Sequence, residues 1–120
     1  MDNSLDSALS RFFNYITVEK GLSSNTLESY RRDLTYYTAY LQERDIHSPD
    51  QITIQILREY LSQFMKQQRS ISSIKRYIAA IKHFHKFMLQ DRITSVNPTE
   101  YLETPRGWHR LPKTLSFAEV

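Results

Sequence analysis

Few side chains in this 120-residue sequence combine a reactive type with helpful neighbours. Cysteine is absent, which excludes thiolate nucleophiles, disulfides and thiolate metal sites. His83 and His85 invite a metal reading, but residues two apart on a helix point about 200° away from each other and cannot chelate one ion together. His85 is expected on the buried side and His83 on the polar side. Eight tyrosines raise the question of a tyrosine nucleophile. Tyr30, Tyr37 and Tyr60 fall on apolar stripes, where packing accounts for them, and no local constellation supplies an activating base with charge stabilisation. There is no glycine-rich phosphate loop. The expectation is no catalytic residue, no metal site and no cofactor.

The cations say more. Residues 1–59 carry six Lys/Arg against nine Asp/Glu, whereas residues 60–120 carry ten against four. Between Glu59 and Asp91 there is no acid, while Lys66, Arg69, Lys75, Arg76, Lys82 and Lys86 all lie inside. Ser72, Lys75, Ala79, Lys82 and Lys86 recur at steps of three and four, one face of a helix, with Arg76 and His83 flanking it. The three lysines span roughly 16 Å of helix axis, a length suited to phosphates along a major groove, and Ala79 keeps the face narrow. Upstream, Asn25, Ser29, Arg32 and Tyr36 form a second polar stripe. It begins at "SSNT" (Ser23, Ser24, Asn25, Thr26), where hydroxyls and free helix-start amides can hold a phosphate. Either stripe alone reads as solvated surface. Two of them, with a basic tail containing Arg106, Arg110 and Lys113, point to duplex DNA ahead of a membrane surface.

The elements that must position these residues are helices. Two glycines and four prolines interrupt the chain, and three of the prolines follow residue 97. A first helix is expected from about Ser4 to Lys20, through Leu5, Ala8, Leu9, Phe12, Phe13 and Ile16, ended by Gly21. A second is capped by Ser23 and buried through Leu27, Tyr30, Leu34, Tyr37 and Leu41. "HSPDQIT" reads as a turn. A third runs from about Thr53 to Gln67 and a fourth from about Ser72 to Asp91, buried through Ile74, Ile78, Ile81, Phe84 and Met88. Asn97 as cap, Pro98 at the first position and Glu100 at the third announce a short fifth. No stretch alternates as a strand does. The expected class is all-α: a four-helix bundle with a short fifth helix and an extended C-terminal linker.

The domain expectations are a DNA-binding domain over residues 1–105, a basic linker over 106–114, and the first turn of a further domain over 115–120. That last turn is marked by Leu115 as a staple, Ser116 as a cap and Glu119 three positions on. Apolar residues make up 40% of the chain, enough for a modest core. No apolar run approaches the ~20 residues of a membrane span, and "MDNSLDSALSRFF" lacks the basic region and apolar stretch of a signal peptide. The expected location is the cytoplasm, with no membrane partner.

"EKGLSSNTLESYRRDL", "SSIKRYIAAIKHFHKF", "NPTEYLETP" and "RLPKTLSFAEV", in this order and spacing, resemble the N-terminal part of Xer-type tyrosine recombinases. The resemblance runs from about Phe12 to Val120. It implies a SAM-like core-binding bundle that forms half of a clamp on the recombination site, with the second and fourth helices facing the major groove. It also implies first-helix contacts between protomers of a tetramer on DNA, and a linker leading to a catalytic domain that begins near "LSFAEV". The parent enzyme would break and rejoin DNA through a 3′-phosphotyrosyl intermediate, without metal or nucleotide, in DNA integration or chromosome dimer resolution. Its catalytic residues would all lie in the catalytic domain. By position the resemblance carries over Ser23 to Thr26, Tyr30 and Arg31 to Asp33 in the second helix. In the fourth it carries over Ser72, Ser73, Arg76 and Lys82, the last more often arginine in the family. With no segment before the first helix, the expectation is a simple recombinase without an arm-binding domain.

Two rival classes remain at this stage. A helix-turn-helix regulator would place a short recognition helix after a tight turn. A helical protein-interaction adaptor would carry its basic face incidentally, and would not bind duplex DNA.

Overall fold

The computed structural model describes residues 4–19, 21–67, 70–100 and 102. Four α-helices account for most of them: α1 (Leu5–Glu19), α2 (Ser24–Glu43), α3 (Ile54–Lys66) and α4 (Ile71–Gln90). No strand occurs among the described residues. The all-α, four-helix expectation therefore holds.

Each internal helix starts where a hydroxyl can accept an unpaired amide. Ser23 accepts from Thr26 N, Thr53 from Ile56 N and Ser70 from Ser73 N. Gly21, at φ +60°, turns the chain between α1 and α2. The ends of α2 and α4 were not marked by glycine. Asp45 (φ 62°) and Arg92 (φ 60°) take the left-handed conformation there instead. Ile46 N bonds to Leu41 O at 2.9 Å and Ile93 N to Met88 O at 2.8 Å, while Asp45 and Arg92 bond to Gln42 and Leu89 carbonyls. These are two Schellman closures, and their partners Ile46 and Ile93 are buried.

The core gathers Leu5, Phe12 and Ile16 from α1, Leu34, Tyr37 and Leu41 from α2, Leu57 and Leu61 from α3, and most of α4. Phe12 packs on Phe84 and Phe87, with ring centroids 5.5 and 5.6 Å away. Tyr60 and Tyr77 join their hydroxyls between α3 and α4. α4 is the central element, with nine buried residues from Ile74 to Met88.

Two details differ from the sequence expectation. The "HSPDQIT" turn contains a 3-10 turn, Pro49–Gln51, whose Asp50 accepts from Thr94 Oγ1 at 2.6 Å and Ser95 N at 3.1 Å. The short fifth helix is a turn over Pro98–Glu100 in the described residues. Asn97 does act at its start, its Oδ1 accepting from Thr99 N at 3.0 Å. However, Glu100 N and Leu102 N bond to the carbonyls of Asn97 and Thr99, three residues back, which is tighter than an α-helix. The linker over 106–114, with Arg106, Arg110 and Lys113, and the turn over 115–120 lie outside the described residues.

Candidate nucleic-acid interface

α2 and α4 pack side by side, and three side-chain contacts fix their register. Asp33 and Arg76 form a two-point ion pair: Nε donates to Oδ2 at 2.7 Å and Nη2 to Oδ1 at 3.1 Å. Tyr30 meets His83 edge-on, with ring centroids 6.0 Å apart. Deeper, Tyr37 Oη lies 2.8 Å from His85 Nε2. The first two contacts mark the seam between the helices, whereas His85, nine residues after Arg76 and so about 180° round α4 from it, meets Tyr37 in the core. At 100° per residue, the polar positions of each helix fall beside that seam on its outer side.

On α2, Asn25, Arg32 and Tyr36 are exposed and Ser29 is half-buried. On α4, Ser72, Lys75, Ala79 and Lys86 are exposed, while Ser73, Arg76 and Lys82 are half-buried. The two stripes read from the sequence thus lie on neighbouring helices that contact each other. Among the described residues, Lys75, Lys82 and Lys86 form no ion pair. The nearby acids are engaged elsewhere, Asp33 with Arg76 and Asp91 with Arg11.

Both stripes begin at a hydroxyl-rich helix start. Ser23 Oγ accepts from Thr26 N and also bonds to the Thr26 hydroxyl at 3.0 Å, while Ser24 and Asn25 are exposed. The amides of Ser24 and Asn25 have no acceptor within the helix. At α4, Ser70 Oγ lies 3.0 Å from Ser73 Oγ and 3.3 Å from Ser72 Oγ. The helix dipole adds partial positive charge at each start.

Two of the expected residues stand apart from the stripes. Arg31 stacks its guanidinium over the Phe13 ring of α1 at 4.7 Å, away from Arg32 and Tyr36. Tyr30 is half-buried against His83, and burial raises its pKa. Arg110 and Lys113 lie outside the described residues. His83 is half-buried rather than a plain surface histidine, its ring also 5.9 Å from Phe12. His85 is buried as expected, and desolvation lowers its pKa to about 3.

The Asp33–Arg76 pair was absent from the sequence reading as a contact. Its partners are 43 residues apart, and only the place of Asp33, at the border between apolar and polar faces, hints that it needs a partner. Hydrogen bonding to Asp33 raises the Arg76 pKa further against the opposing effect of burial. Among the described residues no group of three or more His, Cys, Asp or Glu converges on a metal-sized site, and no helix is long and apolar enough to cross a membrane.

Comparison with known proteins agrees with this helical architecture. Residues 9–92 match the family described as phage integrase, N-terminal SAM-like domain. The chain is 38% identical over 117 residues to a protein of Oceanobacillus iheyensis named tyrosine recombinase XerD, covering 97% of this chain and 39% of that one. It is 40% identical over 113 residues to a protein of the same name from Halalkalibacterium halodurans, covering 93% and 38%. A third, from Staphylococcus haemolyticus, is 38% identical over 116 residues, covering 97% and 39%. The chain therefore spans about two fifths of the length of these relatives.

Proposed function

The chain belongs to the phage integrase N-terminal SAM-like domain family, and on that premise we propose that it is the DNA-binding core domain of a site-specific tyrosine recombinase. It grips duplex DNA through α2 and α4. The observation that carries this reading is the pair of adjoining polar stripes, one bearing three lysines free of ion pairs among the described residues and both starting at serine-rich helix ends. Lysines of this kind meet phosphates as mobile point charges and displace the condensed counterions of the duplex. The helix starts add fixed amide donors that set register on the backbone.

In this reading the 120 residues bind and position DNA in the cytoplasm. Strand breakage and rejoining belong to the catalytic domain of the parent recombinase, which works as a tetramer in DNA integration or chromosome dimer resolution. α1 supplies protomer contacts; its Val18 is 76% exposed, an apolar side chain on offer at that helix's outer face.

The test is the salt dependence of duplex binding, followed by fluorescence anisotropy. The chain alone should bind weakly, with a Kd of ~10⁻⁴ to 10⁻⁶ M at physiological salt. Each lysine that meets a phosphate contributes about −0.9 to the slope of log affinity against log salt. Lys75→Gln with Lys86→Gln should flatten the slope by roughly 1.8 units and weaken binding alike across sequences. Arg58→Gln, on the exposed side of α3, is the control. Equal slopes in the parent, the double variant and the control would end the assignment of α4 to DNA.

A further inference from the structure

Arg76 sits where the two stripes meet, and only part of its hydrogen-bonding capacity is used. Of its five N–H donors, Nε–H and one Nη2–H go to Asp33. Among the described residues the two protons of Nη1 and the second proton of Nη2 meet no acceptor, at the end of the guanidinium plane. Asp33 is itself buried, its side chain 5% exposed, while that of Arg76 is 35% exposed. The carboxylate is therefore anchored in the helix seam, and the pair fixes the plane in which the remaining donors point.

That geometry differs from the lysines around it. A phosphate contact needs charge but no fixed plane, so the flexible ammonium of a lysine suffices for it. A fixed fork with two side-by-side donors matches two acceptors held in one plane. In the major groove, guanine presents such a pair at O6 and N7. Ala79, three residues after Arg76, is exposed and small, which leaves room for the helix to approach the base edges.

We propose that Arg76 reads one guanine from the major groove, and that Asp33 is its positioning residue, holding the fork in the plane that the base requires. This rests on the DNA-binding reading above and adds to it a sequence-reading contact. Asp33 touches no DNA. It acts by restricting Arg76, so its loss should cost discrimination more than overall affinity.

The experiment selects bound duplexes from a randomised pool at low salt, using the 120-residue chain, and sequences them. The parent should enrich a guanine at one position, by roughly 5- to 150-fold over other bases, as a bidentate arginine contact does. Arg76→Lys and Asp33→Asn should each erase that enrichment, while Arg58→Gln on α3 preserves it. On the best duplex, replacing that guanine by 7-deazaguanine removes the N7 acceptor. This should weaken the parent and leave Arg76→Lys unaffected. Circular dichroism melts report folding; Arg76→Lys retains a charge pair with Asp33 and keeps the test open if Asp33→Asn unfolds. Enrichment that persists in Arg76→Lys would overturn the proposal. So would a parent indifferent to 7-deazaguanine while Arg76→Lys weakens every duplex equally, since that is a phosphate contact. A parent that binds no duplex at all would bring down both this proposal and the DNA-binding reading.

Discussion

Mild acid should destabilise this domain through a single side chain. His85 is fully buried, with a folded pKa lowered to about 3 by desolvation, against about 6.5 for an unfolded histidine. Between those values the unfolded chain binds a proton that the folded chain does not. Stability therefore rises with pH across the window and is lost as pH falls from about 6.5 towards 3. At pH 5 the unfolded histidine is almost fully protonated and the folded one almost fully neutral, so the cost relative to pH 7.5 is about 2 kcal/mol. This figure hardly changes for any folded pKa below about 4, because only the unfolded value sets it there. Against a stability of about 5–15 kcal/mol for a domain of this kind, the loss is easily measured. Urea unfolding at pH 7.5 and pH 5, followed by far-ultraviolet circular dichroism, should show the midpoint falling by about 1–2 M. His85→Gln keeps a hydrogen-bonding group opposite Tyr37 Oη but does not titrate, so its stability should change by about 2 kcal/mol less between the two pH values. An identical pH dependence in the parent and His85→Gln would refute the reasoning.

Two further outcomes concern local structure. Arg92 holds a left-handed conformation at the end of α4; Arg92→Gly should stabilise the fold by about 0.5 kcal/mol and Arg92→Val should destabilise it by about 1–2 kcal/mol, both read from thermal melts. Ser23→Ala and Ser70→Ala each remove a cap that accepts a helix amide, and each should cost about 1 kcal/mol in chemical unfolding.

The sequence revealed helix starts better than helix ends. Ser23 announced its cap as the first hydroxyl after Gly21 and ahead of the apolar repeat that starts at Leu27. Ser70, Ser72 and Ser73 were equivalent on paper, and α4 begins one residue earlier than its periodicity suggested because Ser70 is the one that caps. Asp45 and Arg92 gave no warning, since side chains other than glycine rarely take positive φ, and the closing hydrogen bonds depend on Ile46 and Ile93 finding the core. The polar stripes were legible because each is a periodicity within one helix. What joins them was not: Asp33 with Arg76, Tyr30 with His83 and Tyr37 with His85 are contacts between residues far apart in the chain. Arg31 shows the converse. Its place beside Arg32 suggested a shared task, yet it turns to Phe13.

The central place of α4 restricts how such a domain could acquire a new target. Nine of its twenty residues are buried against the other helices, and changing those puts folding at risk before it alters recognition. Arg76 is in turn tied to Asp33 of α2. Positions such as Ser72, Lys75, Ala79 and Lys86 remain exposed. A lineage that drifts towards a different DNA site has to spell the change with that short alphabet, or move Asp33 and Arg76 together as one letter.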